Sequence, residues 1–296
     1  MKKRTLFAST VTLSTMSAGY ALIRQFSQSI LYREHLEVKD NEWYEDMGGK
    51  KIKIKNHKKM ILQGYFFFQE NAQRTVIGLH ALKKSASSLK ESVVYLKQLF
   101  PDAHILLYDA HAHGLSDGYI RGFGYKDILD LMYFNTYILQ KFGDDHRIIM
   151  YGQGMGANTI LNAAGLGKLK NVDCIISEGA YTDVYHYLGT LCQKETKIIS
   201  SVCSPIIQGI LKDEVGVNMK KMNTVHLVKD NQIPTVYIHS KNDSDVPFRM
   251  VFPLYNATNS YKFLFPIKKD YLYQLNGEED DYLSSLQEFL NDTIRK

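Results

Sequence analysis

The stretch Tyr151-Gly-Gln-Gly-Met-Gly-Ala157 decides the fold of this chain, because its glycines have the spacing of a strand-to-helix turn. Residues 146–151 lead into it as a short buried strand, and residues 155–166 follow with helical spacing. In the pattern G-x-S-x-G, such a turn lifts a serine nucleophile into the open. Gly152 and Gly156 hold the flanking positions, and Gly154 stands where the serine would be. The sequence therefore predicts the turn without its nucleophile.

Three other stretches accompany this turn in order along the chain. They are Thr75-Val-Ile-Gly-Leu-His-Ala81, Ile105-Leu-Leu-Tyr-Asp-Ala-His-Ala-His-Gly114 and Pro234-Thr-Val-Tyr-Ile-His-Ser-Lys-Asn-Asp243, each a strand that ends in a loop. Together the four stretches resemble the α/β-hydrolase family, in particular its bacterial serine-aminopeptidase-like branch with a membrane-anchoring N-terminus. The resemblance runs from about residue 41 to the C-terminus.

The fold class follows from alternating strand and helix patterns. A chain of 296 residues with 45% hydrophobic and 23% charged residues is long enough for one large domain. Strands are predicted at 51–55, 61–68, 75–80, 103–108, 147–151, 172–177, 235–239 and 261–265. Helices are predicted at 88–100, 125–142, 155–166, 248–257 and 280–294. This order predicts an α/β-hydrolase fold with a mostly parallel eight-stranded sheet and helices on both faces.

Residues 181–230 interrupt the alternation with helical spacing and no clear strand. In the family that the chain resembles, this place holds a helical cap over the active site. A helical insertion without this role fits the same residues. The two interpretations differ in whether the insertion covers a pocket. We predict a domain over residues 31–296 with residues 181–230 as its cap.

The first 30 residues are interpreted separately. Met1-Lys-Lys-Arg4 is positively charged, and residues 5–23 carry no charge, about the length of a membrane-spanning helix. The charge bias predicts a single-pass anchor in the cell membrane with the domain on the extracytoplasmic side. Gly19-Tyr-Ala21 also resembles a signal-peptide cleavage site, which would give a secreted protein. A cytosolic protein with an apolar N-terminus is the third reading.

The charge and cysteine content say little about partners. A net charge of +5 is spread along the chain, so we expect no nucleic-acid partner. The three cysteines form no disulfide framework, although Cys192 and Cys203 could pair. Cys174 lies within a predicted strand, which disfavours it as a substitute nucleophile. We expect no cofactor, and a ligand that is a small molecule, a lipid or a peptide.

The resemblance implies a serine, a histidine and an acid as the catalytic groups. Asp243 matches the position of the acid, and Asp245 is the better candidate for capping the next helix. Gly154 stands at the nucleophile position. Tyr271 aligns with the position of the histidine, give or take one residue, and no histidine follows His239.

The resemblance also places His80, Ala81 and Met155 around the oxyanion site and pocket. Ala81 replaces the glycine of the family's His-Gly pair but keeps a backbone N–H. His80, His111 and His113 fall at the carboxyl ends of two strands, where a metal could be held. His80 and His113 match positions that are structural in the family, so we predict no metal.

These observations favour a membrane-anchored hydrolase-like protein that lacks serine-hydrolase chemistry and has a binding or regulatory role. The alternative is an esterase- or peptidase-type enzyme that uses unconventional groups. A decayed protein without a role, or a deliberately altered serine, would also fit Gly154. The missing histidine argues against deliberate alteration, because one change is enough to inactivate a triad.

Overall fold

One eight-stranded sheet organises the part of the chain that the computed structural model describes, residues 2–34, 42–268 and 280–294. The strands are β1 (Gly49–Lys55), β2 (Ile61–Phe67), β3 (Arg74–Leu79), β4 (Ala103–Tyr108), β5 (Arg147–Gln153), β6 (Val172–Glu178), β7 (Thr235–Ser240) and β8 (Lys262–Ile267). Their order is β1-β2-β4-β3-β5-β6-β7-β8. β2 is antiparallel to both of its neighbours, and all other pairs are parallel. The predicted mostly parallel sheet is confirmed.

Helices cover both faces of the sheet. They are α1 (Lys2–Leu31), α2 (Lys90–Leu99), α3 (Ile128–Phe142), α4 (Met155–Gly165), α5 (Val184–Thr196), α6 (Ser200–Val215), α7 (Thr224–Leu227), α8 (Val251–Ala257) and α9 (Asp280–Thr293). One core cluster joins the sheet to α1, α3, α4, α5, α6 and α8, and a second joins it to α2 and α9. Because helices lie on both sides, every residue of β4 is buried, which explains its continuous apolar sequence.

The close packing of α4 on the sheet depends on Gly156. A Cβ atom at this position would collide with the backbone carbonyl of Leu79 in β3. Removing the side chain lets the first turn of α4 sit directly against β3, beside β5. The glycine spacing read from the sequence therefore has a steric cause.

Residues 181–230 contain α5, α6 and α7. Asp183 caps the N-terminus of α5, and its carboxylate accepts the N–H of His186 at 2.8 Å. α5 packs against α6 where Gly189 faces Ser204 closely enough to exclude a Cβ atom. The insertion is helical, as expected.

The second half of α1 is part of the folded body. Ile23, Phe26 and Ile30 are buried in the core cluster that also includes α5 and α6. Arg121 donates hydrogen bonds from Nη1 to the carbonyls of Ser29 and Ile30 at the end of this helix. None of the described helices is both long and apolar enough to span a bilayer. The anchor and the boundary at residue 30 stay predictions.

Candidate functional site

Gly154 forms the turn between β5 and α4. Its backbone angles are φ +52° and ψ −115°, a conformation that residues with a Cβ atom rarely adopt. The N–H of Gly154 donates to the carbonyl of Glu178 at 2.8 Å, and its own carbonyl accepts the N–H of Asn158 at 3.0 Å. The turn is thus fixed by backbone hydrogen bonds, and it presents no side chain to the site.

Ala81 lies next to the position that the Cβ atom of a nucleophilic residue would occupy at Gly154. A Cβ atom built on Gly154 would lie 3.1 Å from the Cβ of Ala81, tighter than ordinary van der Waals contact. Met155 is the first residue of α4, so its N–H has no acceptor within the helix. Backbone donors for an oxyanion can therefore still come from this turn, while the approach to it is narrowed by the methyl group of Ala81.

His80 is a structural residue. Its Nδ1–H donates to the carbonyl of Ala81 at 2.8 Å, and its Nε2 accepts the N–H of Ala110 at 3.1 Å. The side chain is buried, and burial lowers its pKa. A neutral imidazole with both nitrogens engaged holds two loops together and has no nitrogen left for proton transfer.

Asp243 lies on the loop after β7 and lines a cavity of about 60 Å³ beside Gly154. One of its carboxylate oxygens, Oδ1, accepts the N–H groups of Asp245 and Val246, both at 2.8 Å. Burial raises the pKa of Asp243. Asp243 therefore organises its own loop, whereas Asp245 pairs with Lys194 at 2.5 Å. The expectation that Asp245 would be the capping residue was wrong.

His239 is the histidine that lies beside Asp243 in the described part of the chain. The distance from its Nε2 to Oδ2 of Asp243 is 3.8 Å, but Nε2 donates instead to the carbonyl of Val246 at 2.8 Å. The ring is fully buried inside β7, and burial lowers its pKa. It does not replace the missing base. Tyr271 lies outside the described residues.

A buried polar network that the sequence reading missed lies under the same cavity. Tyr151 donates its hydroxyl to Glu178 at 2.7 Å, and the amide of Gln153 donates to the same oxygen at 3.0 Å. Burial and the nearby carboxylate of Glu178 raise the pKa of Tyr151 well above its ordinary value, so the phenol keeps its proton. Gln153 and Glu178 both line the cavity. The available signal was a glutamate that follows the apolar run Cys174-Ile-Ile176 within two residues.

The cap reaches this cavity through Tyr187 of α5. Its ring stacks on that of Tyr181, with the centroids 4.0 Å apart, and both rings are buried. Lys84 and Leu82, on the loop after β3, line the cavity from another side. The insertion therefore contributes a wall of the pocket, and a volume of about 60 Å³ admits only a small group.

The three candidate metal-ligand histidines, His80, His111 and His113, do not form one cluster. His113 donates from Nδ1 to the carbonyl of His111 at 2.9 Å and packs against the ring of His80. His111 instead lies with Asp127 and Asp130, and these three have the spacing of a metal-ligand group. The Nδ1 of His111 is only 2.6 Å from a carboxylate oxygen of Asp130, a hydrogen-bonding distance.

The charge on His111 decides how this cluster is interpreted. Burial lowers its pKa, but Asp127 and Asp130 outweigh that effect and raise the pKa to about 9. We therefore interpret the cluster as a buried ion pair between the loop after β4 and α3.

Cys174 lies within β6 and is fully buried. Burial, with a contribution from Asp173, raises its pKa to about 12, so the thiol is not a nucleophile at neutral pH. Cys192 and Cys203 are free thiols that lie side by side between α5 and α6.

The fold is that of the α/β-hydrolases. The Pyrococcus furiosus esterase Pf2001 matches with a TM-score of 0.68 and 18% identity, covering 89% of this chain and 97% of that chain. The alpha/beta hydrolase GrgF from Penicillium sp. sh18 matches with a TM-score of 0.64 and 15% identity over 83% and 98% of the two chains. The Pyrococcus horikoshii acylaminoacyl peptidase matches at 0.62 and 14%, covering 84% of this chain and 42% of that one.

In sequence, the chain is 24% identical over 233 residues to the uncharacterized protein YqkD of Bacillus subtilis strain 168, covering 78% of this chain and 75% of YqkD. No protein-family model matches the chain. The likeness to solved structures establishes the α/β-hydrolase fold.

Proposed function

We propose that this protein is an α/β-hydrolase-like protein that binds a ligand at the former catalytic pocket without hydrolysing it. The observation that carries the proposal is Gly154, which has the backbone geometry of a nucleophile turn and no side chain. Of the two described histidines next to the site, His80 has both ring nitrogens bonded to backbone groups, and His239 lies buried within β7 with its Nε2 bonded to the carbonyl of Val246. Attack therefore lacks a side chain at Gly154, and neither histidine is placed to act as its base.

The proposed ligand is a small molecule, or one end of a lipid or peptide, because the cavity beside Gly154 is small. We also propose that the N-terminal segment before the packed half of α1 holds the protein in the cell membrane with its domain outside, as in the serine-aminopeptidase-like branch. The charged start and the uncharged residues 5–23 support this part.

The test uses the full chain in a non-ionic detergent, because residues 23–31 contribute to the core. A fluorophosphonate probe should label no residue, and ester and peptide substrates should show no turnover above buffer. The control is the double variant Gly154→Ser with Tyr271→His. Stoichiometric labelling of the unaltered chain, or turnover that a Glu178→Gln change abolishes, would establish the alternative of an enzyme with unconventional groups.

A further inference from the structure

Exposed apolar side chains gather where α1 meets the start of α6. Tyr20 and Leu22 on α1 are 49% and 48% exposed, and Ile199 and Val202 at the start of α6 are 59% and 43% exposed. Single apolar residues on a surface are ordinary, but a contiguous group of them marks a contact with a partner or a membrane. We call these four residues the corner patch, because they lie beside the corner between α5 and α6.

The helices α1 and α6 run side by side in the same direction. At one end, a Cβ atom built on Gly19 would lie 3.7 Å from Cδ1 of Ile198, an ordinary van der Waals contact. At the other end, the hydroxyl of Tyr32 donates to Glu214 at 3.0 Å. The residues that follow Gly19 and Ile198 belong to the corner patch, which therefore joins both elements. The part of α1 before Gly19 extends past the start of α6.

The segment that enters the corner patch has the composition of a membrane-surface segment. Residues 5–23 carry no charge, and the basic stretch Met1-Lys-Lys-Arg4 precedes them. Ile23 is the first buried residue among the α1 side chains that the structure describes, so the uncharged run ends where the folded body begins. Seven of its 19 residues are Ser or Thr, which limits the apolar area that the run offers by itself. Because a bilayer contact strengthens with the apolar area buried, a second apolar surface beside the run would reinforce it.

The residue types of the corner patch match the boundary between lipid headgroups and acyl chains. Tyr20 brings an aromatic ring with a polar tip, a type of side chain enriched at that depth. Leu22, Ile199 and Val202 carry no polar side-chain atom that would need a partner there. Arg24, two residues after Leu22, is exposed and supplies a cation that can reach the phosphates of the headgroups. A lipid surface therefore suits both the apolar patch and its charged edge.

We propose that the corner patch rests on the surface of a lipid bilayer, so that the cap and α1 contact the membrane together. The proposal rests on the membrane attachment proposed above and adds a second contact to it. The N-terminal segment supplies the attachment, and the patch fixes the orientation, because two separate contacts prevent the domain from rotating about one. The end of the cap where α5 meets α6 then faces the lipid, while α2, on the opposite face of the sheet, stays in water.

The test places a fluorescent label at single positions of the full chain, bound to vesicles that contain a nitroxide-labelled lipid. Ile199→Cys and Val202→Cys carry the label in the patch. Val94→Cys carries it on α2 as the matched control, since Val94 is 52% exposed. The three native cysteines are buried, so the unaltered chain gives the background labelling. We expect the lipid to quench both patch labels several-fold more strongly than the label on α2.

An added charge tests whether apolar contact holds the patch in place. Ile199→Asp should reduce the lipid quenching of the label at position 202 several-fold, because a carboxylate is costly to bury among acyl chains. Val94→Asp should leave that quenching unchanged. Flotation of the unaltered chain with vesicles of phosphatidylcholine and phosphatidylglycerol reports the attachment by the N-terminal segment separately.

The outcomes distinguish the orientation from the attachment. If the chain floats with the vesicles but the patch labels are quenched no more than the label on α2, the proposal is overturned and the N-terminal attachment stands alone. A chain that does not float with the vesicles refutes both. Shielding of the patch labels from aqueous iodide without quenching by the lipid would indicate a protein partner or a second copy, and it would also overturn the proposal.

Discussion

Replacing Gly154 with alanine tests the turn on which the interpretation of the site rests. At φ +52° and ψ −115°, a residue with a Cβ atom stores about 1–3 kcal/mol of backbone strain. The new Cβ would also lie 3.1 Å from that of Ala81, which must shift by a few tenths of an ångström. Against this, alanine restricts the unfolded chain by about 0.4–1 kcal/mol. The cost of the contact with Ala81 and the gain from restricting the unfolded chain roughly cancel, which leaves the backbone strain.

We therefore expect Gly154→Ala to lower the free energy of unfolding by about 1–3 kcal/mol. For a chain of 296 residues that corresponds to a fall in melting temperature of about 2–5 °C. The assay is urea unfolding followed by tryptophan fluorescence, together with calorimetry, on the full chain. Trp43 is the single tryptophan and is buried in the core, so its signal reports global unfolding.

A companion change separates strain from crowding. Ala81→Gly removes the Cβ atom that the new side chain would meet, so it should relieve only the contact part of the cost. Gly216→Ala is the matched control, because Gly216 has φ +67° with no atom near its missing Cβ. An unchanged or raised melting temperature for Gly154→Ala would refute the strained turn. Complete rescue by Ala81→Gly would refute strain as the cause.

Four other predictions concern the candidate site, the ion pair of His111 and the N-terminus. Gly154→Ser alone should stay inactive, and adding Tyr271→His should give a non-additive gain in esterase turnover, since triad residues act as a unit; robust turnover of the single variant would reveal an unrecognised base. The folded-state pKa of His111 is raised to about 9, so its ion pair stabilises fully below about pH 6.5 and is lost as the pH rises through 9. The difference in stability between the unaltered chain and His111→Asn, up to about 3 kcal/mol at pH 6, should shrink by pH 9.5, and a difference independent of pH would contradict this. Deleting residues 1–30 should lower the melting temperature far more than deleting residues 1–16, because the longer deletion removes buried side chains from the core; equal effects would mean that the packed half of the helix contributes nothing. Protease added to intact cells should cleave the folded domain if it lies outside the membrane, and cleavage only after lysis would exclude that orientation.

The strands were predictable because most of them are buried on both faces. A strand covered by helices on either side needs apolar residues throughout, and β4 was placed correctly at 103–108 from its apolar run. Boundaries near turns were less accurate. The helix expected from residue 125 begins at Ile128, because the preceding residues form a turn in which Asp127 accepts the N–H of Gly124. Such local side-chain capping leaves little trace in a hydrophobic pattern.

The site was only partly predictable. Gly154 could be placed from glycine spacing, since the steric demands of the turn act within a few residues of the chain. Glu178 could not, because its importance depends on β6 lying next to β5, which brings it to Tyr151 and Gln153. The role of Asp243 as the organiser of its own loop likewise required the observed hydrogen bonds.

The sequence by itself determined the loss of a side chain at the nucleophile position and the lack of any histidine after His239, because these are facts of covalent structure. It also determined the order of strands and helices, through local periodicity. Only the tertiary structure decided that the second half of α1 joins the core and that Glu178 lies beneath the pocket. These features unite residues far apart in the chain, and burial and packing become defined only when the whole fold is assembled.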